Sequence, residues 1–413
     1  MRLMVYSHDA FGLGNIRRML AICQYLLKVF PKVSILVVSG SPVLHSLRLP
    51  AGLDYIKLPC MGRDEAGDMS AKYLGSKMED TVKLRSDLIL TATMNFQPDA
   101  FLVDKKPDGL QGELKSTIKF LKAHLPQTKL VLLLRDILDR AEVTIAQWQR
   151  HDYYRTLETL YDQAWVVGTP EVFDLCREYQ FSEALVRKTH FCGYILRERG
   201  LKSRSQLRQT LGIKPDESLV LVTPGGGGDG YRLVDTYLRG LATFPQRQLK
   251  SVIISGPEMS VAQRTEILQR SAGNPDIWVE EFTDDLMSYM DAADVVVAMG
   301  GYNTIGEILT LRKKAIVIPR TQPVLEQWIR AQRMAQLGAF KTICPDRLTP
   351  ELLMESVFDE LCCNHSTPLQ PGLEMNALPR IAQLLTGLLY GSSPVSAYSP
   401  LDSPKFTLEV SVK

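Results

Sequence analysis

Three clusters in this 413-residue chain combine residue types and spacings that chemistry requires. The first is Thr223-Pro224-Gly225-Gly226-Gly227-Gly228-Asp229-Gly230, between an apolar run and a helical pattern. Consecutive glycines can form a nest of backbone N–H groups, and with a helix N-terminus behind them they suit a diphosphate. No Lys-Ser/Thr follows, so this is not the phosphate loop of an ATPase. The competing reading is a flexible turn, which would rarely need four glycines and a following Asp-Gly. The second cluster runs from Val295 to Phe340 and puts Gly300, Gly301, Asn303, Thr304, Glu307, Glu326 and Gln327 at or just past the ends of successive expected strands. Open α/β sheets bind ligands at those ends. Glu307 shares the first turns of one helix with Asn303 and Thr304. A carboxylate there can accept both hydroxyls of a ribose, or it is simply a solvated helix residue. The third cluster, Ser7 to Asn15, holds His8, Asp9, Gly12 and Gly14 before the helical pattern IRRMLAICQYL. His8 or Asp9 could act as a general base, or both could cap and orient the loop. The dinucleotide pattern GxGxxG fails because residue 17 is arginine, which leaves a NAD site little support.

Positioning these residues requires strands that end at them. Short β-branched or aliphatic runs alternate with longer segments of helical period, the pattern of parallel sheets wrapped by helices. Strands are expected at Leu3 to Ser7, Val33 to Ser39, Ala100 to Asp104, Lys129 to Leu134 and Ala164 to Val167, with His190 to Cys192 closing the unit. Helices are expected near Asn15 to Val29, Met69 to Phe96, Gly112 to His124, Thr144 to Tyr161 and Pro170 to Tyr179. The pattern restarts at Leu219 to Thr223 and continues through Ser251 to Ser255, Ile277 to Val279, Val295 to Ala298, Ala315 to Ile318 and Lys341 to Cys344. The expected fold is therefore α/β, with two Rossmann-like doubly wound parallel sheets facing across a cleft. The expected division is 1–195, a linker at 196–212, a second unit at 213–376, a terminal helix at 377–390 and a poorly ordered Ser/Pro-rich tail at 391–413.

Composition narrows the partners. A net charge of +2 and short basic spots such as Lys105-Lys106 give no phosphate-tracking stripe, so nucleic acid is not expected as a partner. The seven scattered cysteines lack zinc-ligand spacing, and free thiols in a reducing cytoplasm are the expectation. No run approaches the ~18 apolar residues of a membrane span, and the start of the chain lacks the pattern of a cleaved signal peptide.

The chain resembles the GT-B nucleotide-sugar glycosyltransferases of family 28, the group that includes the peptidoglycan-pathway N-acetylglucosaminyltransferase. It looks more closely like a branch of uncharacterised predicted glycosyltransferases marked by SHDxFGLG, VDKxPxGLxGEL, LRDIxD, GGGxDG and EQxxRAQR. These stand here at Ser7 to Gly14, Val103 to Leu114, Leu134 to Asp139, Gly226 to Gly230 and Glu326 to Arg333. The resemblance implies that Gly226 to Gly228 contact a donor diphosphate, and that Phe282 to Met287 line the base pocket. It implies that Glu307 holds the ribose, and that Glu326 with Gln327 bonds the donor sugar. Gly12, Gly14 and the loops bearing Lys105, Lys106 and Asp136 would receive the acceptor. Many relatives carry a histidine where this chain has Asn15, and an amide cannot take a proton from a hydroxyl. The base would then be His8 or Asp9, or catalysis would rest on positioning and leaving-group stabilisation.

The resulting expectation is a hexosyltransferase that moves a sugar from a nucleoside diphosphate sugar, UDP-linked first, to an unknown hydroxyl acceptor. The family implies inversion, and no metal or further cofactor is expected. The acceptor is a saccharide or a lipid; a lipid would bring the otherwise cytoplasmic protein to the inner membrane face. The rivals are a sugar-nucleotide epimerase on the same fold and a nucleotide-sugar-binding protein without turnover.

Overall fold

The computed structural model describes residues 1–8, 14–42, 44, 49–63, 69–244, 249–363 and 373–391. Asp9, Gly12 and the expected tail beyond Gly391 lie outside the described residues.

The first unit is a seven-stranded parallel sheet. Its strands are β1 (Arg2–Ser7), β2 (Ser34–Ser39), β3 (Leu53–Lys57), β6 (Ala100–Asp104), β7 (Lys129–Arg135), β8 (Gln163–Val167) and β9 (Thr189–Phe191), in the order β3-β2-β1-β6-β7-β8-β9. Two further strands, β4 (Met61–Arg63) and β5 (Met69–Ala71), form a separate antiparallel hairpin. The second unit is a six-stranded parallel sheet of β10 (Leu219–Thr223), β11 (Lys250–Ile254), β12 (Ile277–Glu280), β13 (Val295–Ala298), β14 (Ala315–Val317) and β15 (Lys341–Thr342), ordered β12-β11-β10-β13-β14-β15. The central strands are buried through their middles, as in VLLL of β7 and VVVA of β13. Strands covered by helices on both faces have no solvent side to encode, so they read as continuous apolar runs. Each buried Val, Leu or Ile side chain contributes about 1.5–3 kcal/mol.

In both sheets the order reverses beside the first strand, between β1 and β6 in one and between β10 and β13 in the other. Such reversals open a crevice beyond the strand ends. His8 and Lys105 emerge from the first reversal, the glycine run and Gly300 from the second.

Four expectations need correction. The helix expected over Pro170 to Tyr179 is two short helices, Pro170–Phe173 and Leu175–Glu178, parted at Asp174. The helix expected from Met69 begins only at Met78, because Met69–Ala71 pairs with Met61–Arg63. The helix expected over Thr144 to Tyr161 breaks at Asp152, whose φ of 54° is left-handed, giving helices Ala141–Arg150 and Tyr153–Leu160. Strand β3 was not expected at all, since at the sheet edge only Leu53 of its five residues is buried. The terminal helix, Ala377–Tyr390, returns to the first unit and packs on helix Gly14–Val29. Backbone bonds from Tyr194 N–H to the Glu374 carbonyl (2.7 Å) and from Ala377 N–H to the Tyr194 carbonyl (3.2 Å) fix that return. The expected linker carries a helix, Arg204–Thr210, opened by a Ser203/Gln206 capping box.

Candidate active site

The two strand reversals face each other across a cleft of ≈ 680 Å³, a size suited to a small-molecule ligand. Of the residues expected to bind, His8, Gly14, Asn15, Lys105, Lys106, Gly225 to Gly228, Phe282, Gly301, Asn303, Thr304, Glu307, Glu326 and Gln327 line it.

The C-terminal wall is built from backbone. Gly225 and Gly227 have φ of 82° and 92°, and a Cβ on Gly227 would sit 2.3 Å from the Ser255 carbonyl oxygen. Gly226 accepts the Glu258 N–H at 2.8 Å, so the glycine run lies flat on the loop after β11. Behind it, helices Tyr231–Thr243, Tyr302–Leu311 and Glu326–Gln336 all begin without a side-chain cap. Uncapped helix starts carry free N–H groups and partial positive charge. Glu307 lies in the cleft lining, buried, with no hydrogen bond to its carboxylate among the described residues. Burial raises its pKa, opposed by Arg17 and Arg197. Phe282 is half exposed beside Thr283 and Leu286, an open apolar platform.

The N-terminal wall is built from side chains held by buried ionic networks. Arg18 Nη2 lies 2.5 Å from Asp104 Oδ1, and the other oxygen of Asp104 accepts the His8 N–H at 3.3 Å. Asn15 donates to the His8 carbonyl at 2.6 Å and accepts from Arg18 at 3.3 Å. Asn15 therefore pins the backbone of His8. The imidazole Nδ1 of His8 is buried and has no partner among the described residues. Burial first, then Lys105 and Lys106, hold the pKa of His8 well below the ordinary imidazole range, so the ring is a neutral proton acceptor. Lys105 has φ of 71° and bridges a bond from Lys106 N–H to the Asp104 carbonyl at 2.9 Å. That is the rare γ-turn with positive central φ, and it is held because Lys105 N–H also bonds the Leu133 carbonyl of β7. Burial and neighbouring Arg135 push the Lys105 ammonium down to about 8.

Three expected site residues do not line the cleft. Asp136 is fully buried, with both carboxylate oxygens bonded by Arg330 at 2.7 Å. It therefore faces the other unit rather than an acceptor. Gly300 is a packing position, where a Cβ would meet Pro319 at 3.1 Å. Met287 is not among the lining residues, whereas its neighbour Leu286 is. Asn303 is engaged on both sides of its amide, donating to the Gly14 carbonyl at 3.2 Å and accepting from Arg197.

Arg17, Arg135, Glu258 and Arg320 also line the cleft and were missed. Arg135 and Arg320 stand at or just past the ends of β7 and β14, and the strand-end rule alone would have picked them out. Among the described residues no group of three or more His, Cys, Asp or Glu side chains could hold a metal ion, and no helix is long and apolar enough to cross a membrane.

The glycosyltransferase family 28 C-terminal domain matches residues 219–384, which is the wall carrying the glycine run, Glu307 and Glu326. An uncharacterized glycosyltransferase of Methanopyrus kandleri is 25% identical over 236 residues, 56% of this chain and 63% of that one. The UDP-N-acetylglucosamine--N-acetylmuramyl-(pentapeptide) pyrophosphoryl-undecaprenol N-acetylglucosamine transferase of Bacillus cytotoxicus is 26% identical over 176 residues, 42% of this chain and 46% of that one. The matches span between 30% and 63% of the length of such curated relatives. Among solved structures, the glycotransferase of kitacinnamycin superposes with a TM-score of 0.64 at 15% identity, over 94% of this chain and 98% of that one. A putative UDP-N-acetylglucosamine 2-epimerase from Listeria monocytogenes gives 0.65 at 12% identity, over 95% and 97%. At these identities the superpositions speak for the fold alone, which transferases and epimerases share. The chain is a GT-B-fold protein related, through its C-terminal unit, to the glycosyltransferases of family 28.

Proposed function

We propose that the protein is a glycosyltransferase that transfers a hexosyl group from a nucleoside diphosphate sugar, UDP-linked first, to a hydroxyl acceptor with inversion. One observation carries the reading: a backbone anion nest and a neutral, unpartnered imidazole face each other across one cleft. Phe282 offers a surface for the base, Glu307 accepts the ribose hydroxyls, the glycine run receives the diphosphate, and Glu326 with Gln327 bonds the sugar. The acceptor oxygen attacks the anomeric carbon from the face opposite the diphosphate, and its proton passes to the imidazole of His8. Asp9, next in the chain, is the other candidate base. As the bond from the anomeric carbon to the diphosphate oxygen breaks, its electron pair leaves with the diphosphate. Amides and helix N-termini meet that charge without reorganising, a task that needs no metal ion.

Lys105 and Lys106 are half-buried in the cleft lining and carry no ion pair among the described residues, and ammonium groups placed so favour an anionic partner. That favours an acceptor bearing negative charge near its reacting hydroxyl, and a lipid-linked phosphate is one such acceptor. A sugar-nucleotide epimerase is the second reading, because the fold is common to both reactions and only the product separates them.

The test is a thermal-shift screen of nucleoside diphosphate sugars, in which a ligand of the native state raises the unfolding temperature. NMR of the hit incubated with the protein follows. Free UDP and a sugar transferred or hydrolysed with inversion are expected. An epimerised but still nucleotide-linked sugar would establish the epimerase instead, and tight binding with no turnover in any acceptor pool would leave a binding protein.

A further inference from the structure

Arg135, Asp136 and Asp139 follow one another at the end of β7, and all three reach across to the second unit. Arg135 Nη1 donates to Glu326 Oε1 at 3.1 Å and stands 2.8 Å from Oε2. Asp136 accepts Nε and Nη2 of Arg330, each at 2.7 Å. Asp139 Oδ1 accepts the Leu325 N–H at 3.0 Å. Leu325, Glu326 and Arg330 open the helix Glu326–Gln336. The segments LRDIxD and EQxxRAQR are therefore two halves of one clasp, with the charge order reversed between its two ion pairs.

The clasp is dry. The side chains of Asp136 and Arg330 are 0% exposed, and those of Arg135 and Glu326 are 14% and 5% exposed. Arg330 Nη1 also donates to the Gly300 carbonyl at 3.1 Å, and its Cζ lies 5.5 Å from the centroid of the Tyr302 ring. Tyr302 itself donates to the Val167 carbonyl of the first unit at 2.9 Å. Separating the two units would leave charged groups without partners, which is strongly unfavourable. Burial alone would raise the pKa of Glu326, but Arg135, Arg330 and Lys105 hold it below the ordinary carboxylate value. The residue stays an anion aimed at the cleft.

We propose that Arg135 and Asp136 are positioning residues that make the donor-sugar subsite a joint product of both units. The clasp orients Glu326 and Gln327, so the sugar of the donor is recognised only with the units closed, whereas the nucleotide is held by the second unit alone. This rests on Glu326 being the sugar contact proposed above.

The test uses the full chain and compares calorimetric affinities for UDP, UDP-glucose, UDP-galactose and UDP-N-acetylglucosamine in wild type, Arg135→Met and Arg135→Lys. Arg135→Met should bind UDP within about twofold of wild type. It should lose the added affinity that the preferred sugar confers and about tenfold in kcat, the scale of one charge-assisted hydrogen bond. Arg135→Lys should recover part of both, because the charge remains without the fork. Arg135→Met that distinguishes sugar from UDP as wild type does overturns the inference. So does an equal loss of UDP and UDP-sugar, since that is damage to the whole site. Wild type that binds none of these ligands removes the functional reading and this inference with it, whereas bound UDP with an indifferent Arg135→Met removes only the inference.

Discussion

The two walls of the cleft solve the same problem with different materials. The C-terminal wall presents backbone: a glycine run in left-handed turns, three uncapped helix starts and one unbonded carboxylate. The N-terminal wall presents side chains, and each is held by a network reaching far along the chain. Tyr6 donates to Glu113 at 2.6 Å, Arg85 bonds the same carboxylate at 2.5 and 2.7 Å, and the Tyr6 oxygen accepts the Leu110 N–H at 2.9 Å. That network sets the loop carrying Lys105, Lys106 and Gln111. A backbone site tolerates many side-chain changes nearby, whereas a side-chain site fails when a distant strut is removed.

The sharpest way to break this contrast is Arg85→Met. It leaves Glu113 charged and buried without its fork, and breaking such a pair costs about 3–5 kcal/mol. Urea unfolding should show that loss, while UDP affinity measured below the new midpoint stays near wild type. Unchanged stability, or UDP affinity that falls as well, would show that the walls are not independent.

Next in size is His8→Ala, which touches the N-terminal wall at the cleft itself. Loss of a general base costs about 10²- to 10⁴-fold in turnover, with UDP affinity retained. Asp9→Asn is its control. If Asp9→Asn abolishes turnover and His8→Ala does not, the proton goes to Asp9 and His8 is a loop support.

The same contrast explains what could be read from the sequence. The two doubly wound units, the glycine run and the place of Glu307 in the cleft were legible because apolar runs and consecutive glycines are local signals, and strand ends in such folds are binding positions. Asp136 was misplaced for the opposite reason. The resemblance implied an acceptor-side role for it, but its partner is Arg330, 194 residues away, and pairing at that range leaves no local mark. Asn15 likewise read as a missing base, when its contacts show it fastening His8. Strand β3 escaped because an edge strand with one buried residue lacks the continuous apolar run of its neighbours.

On the backbone wall the effect of one side chain should be smaller. Glu307→Ala removes an acceptor whose charged form burial disfavours and Arg17 and Arg197 support, and hydrogen bonds to a charged group contribute about 1.5–3 kcal/mol each. Calorimetry should show UDP binding weakened about ten- to a hundredfold, with unfolding unchanged. Equal affinity would sink the ribose assignment and leave the glycine run as the sole determinant of nucleotide binding.

The smallest effect tests how the side-chain wall tunes its base. Protonated His8 is inactive as a base, so turnover should fall on the acid side only well below the ordinary value of 6.5, because burial and then Lys105 and Lys106 depress its pKa. Lys105 is charged over that acid range, its own pKa lying at about 8. Lys105→Met deletes the cation while Lys106, Arg85 and Arg135 remain, so the pKa of His8 rises and the acid limb of kcat/KM moves to higher pH. The C-terminal wall is untouched, and UDP affinity at pH 8 should match wild type. A limb that stays in place would mean that His8 does not govern it, and the neutral imidazole would then be a consequence of packing rather than a device for catalysis.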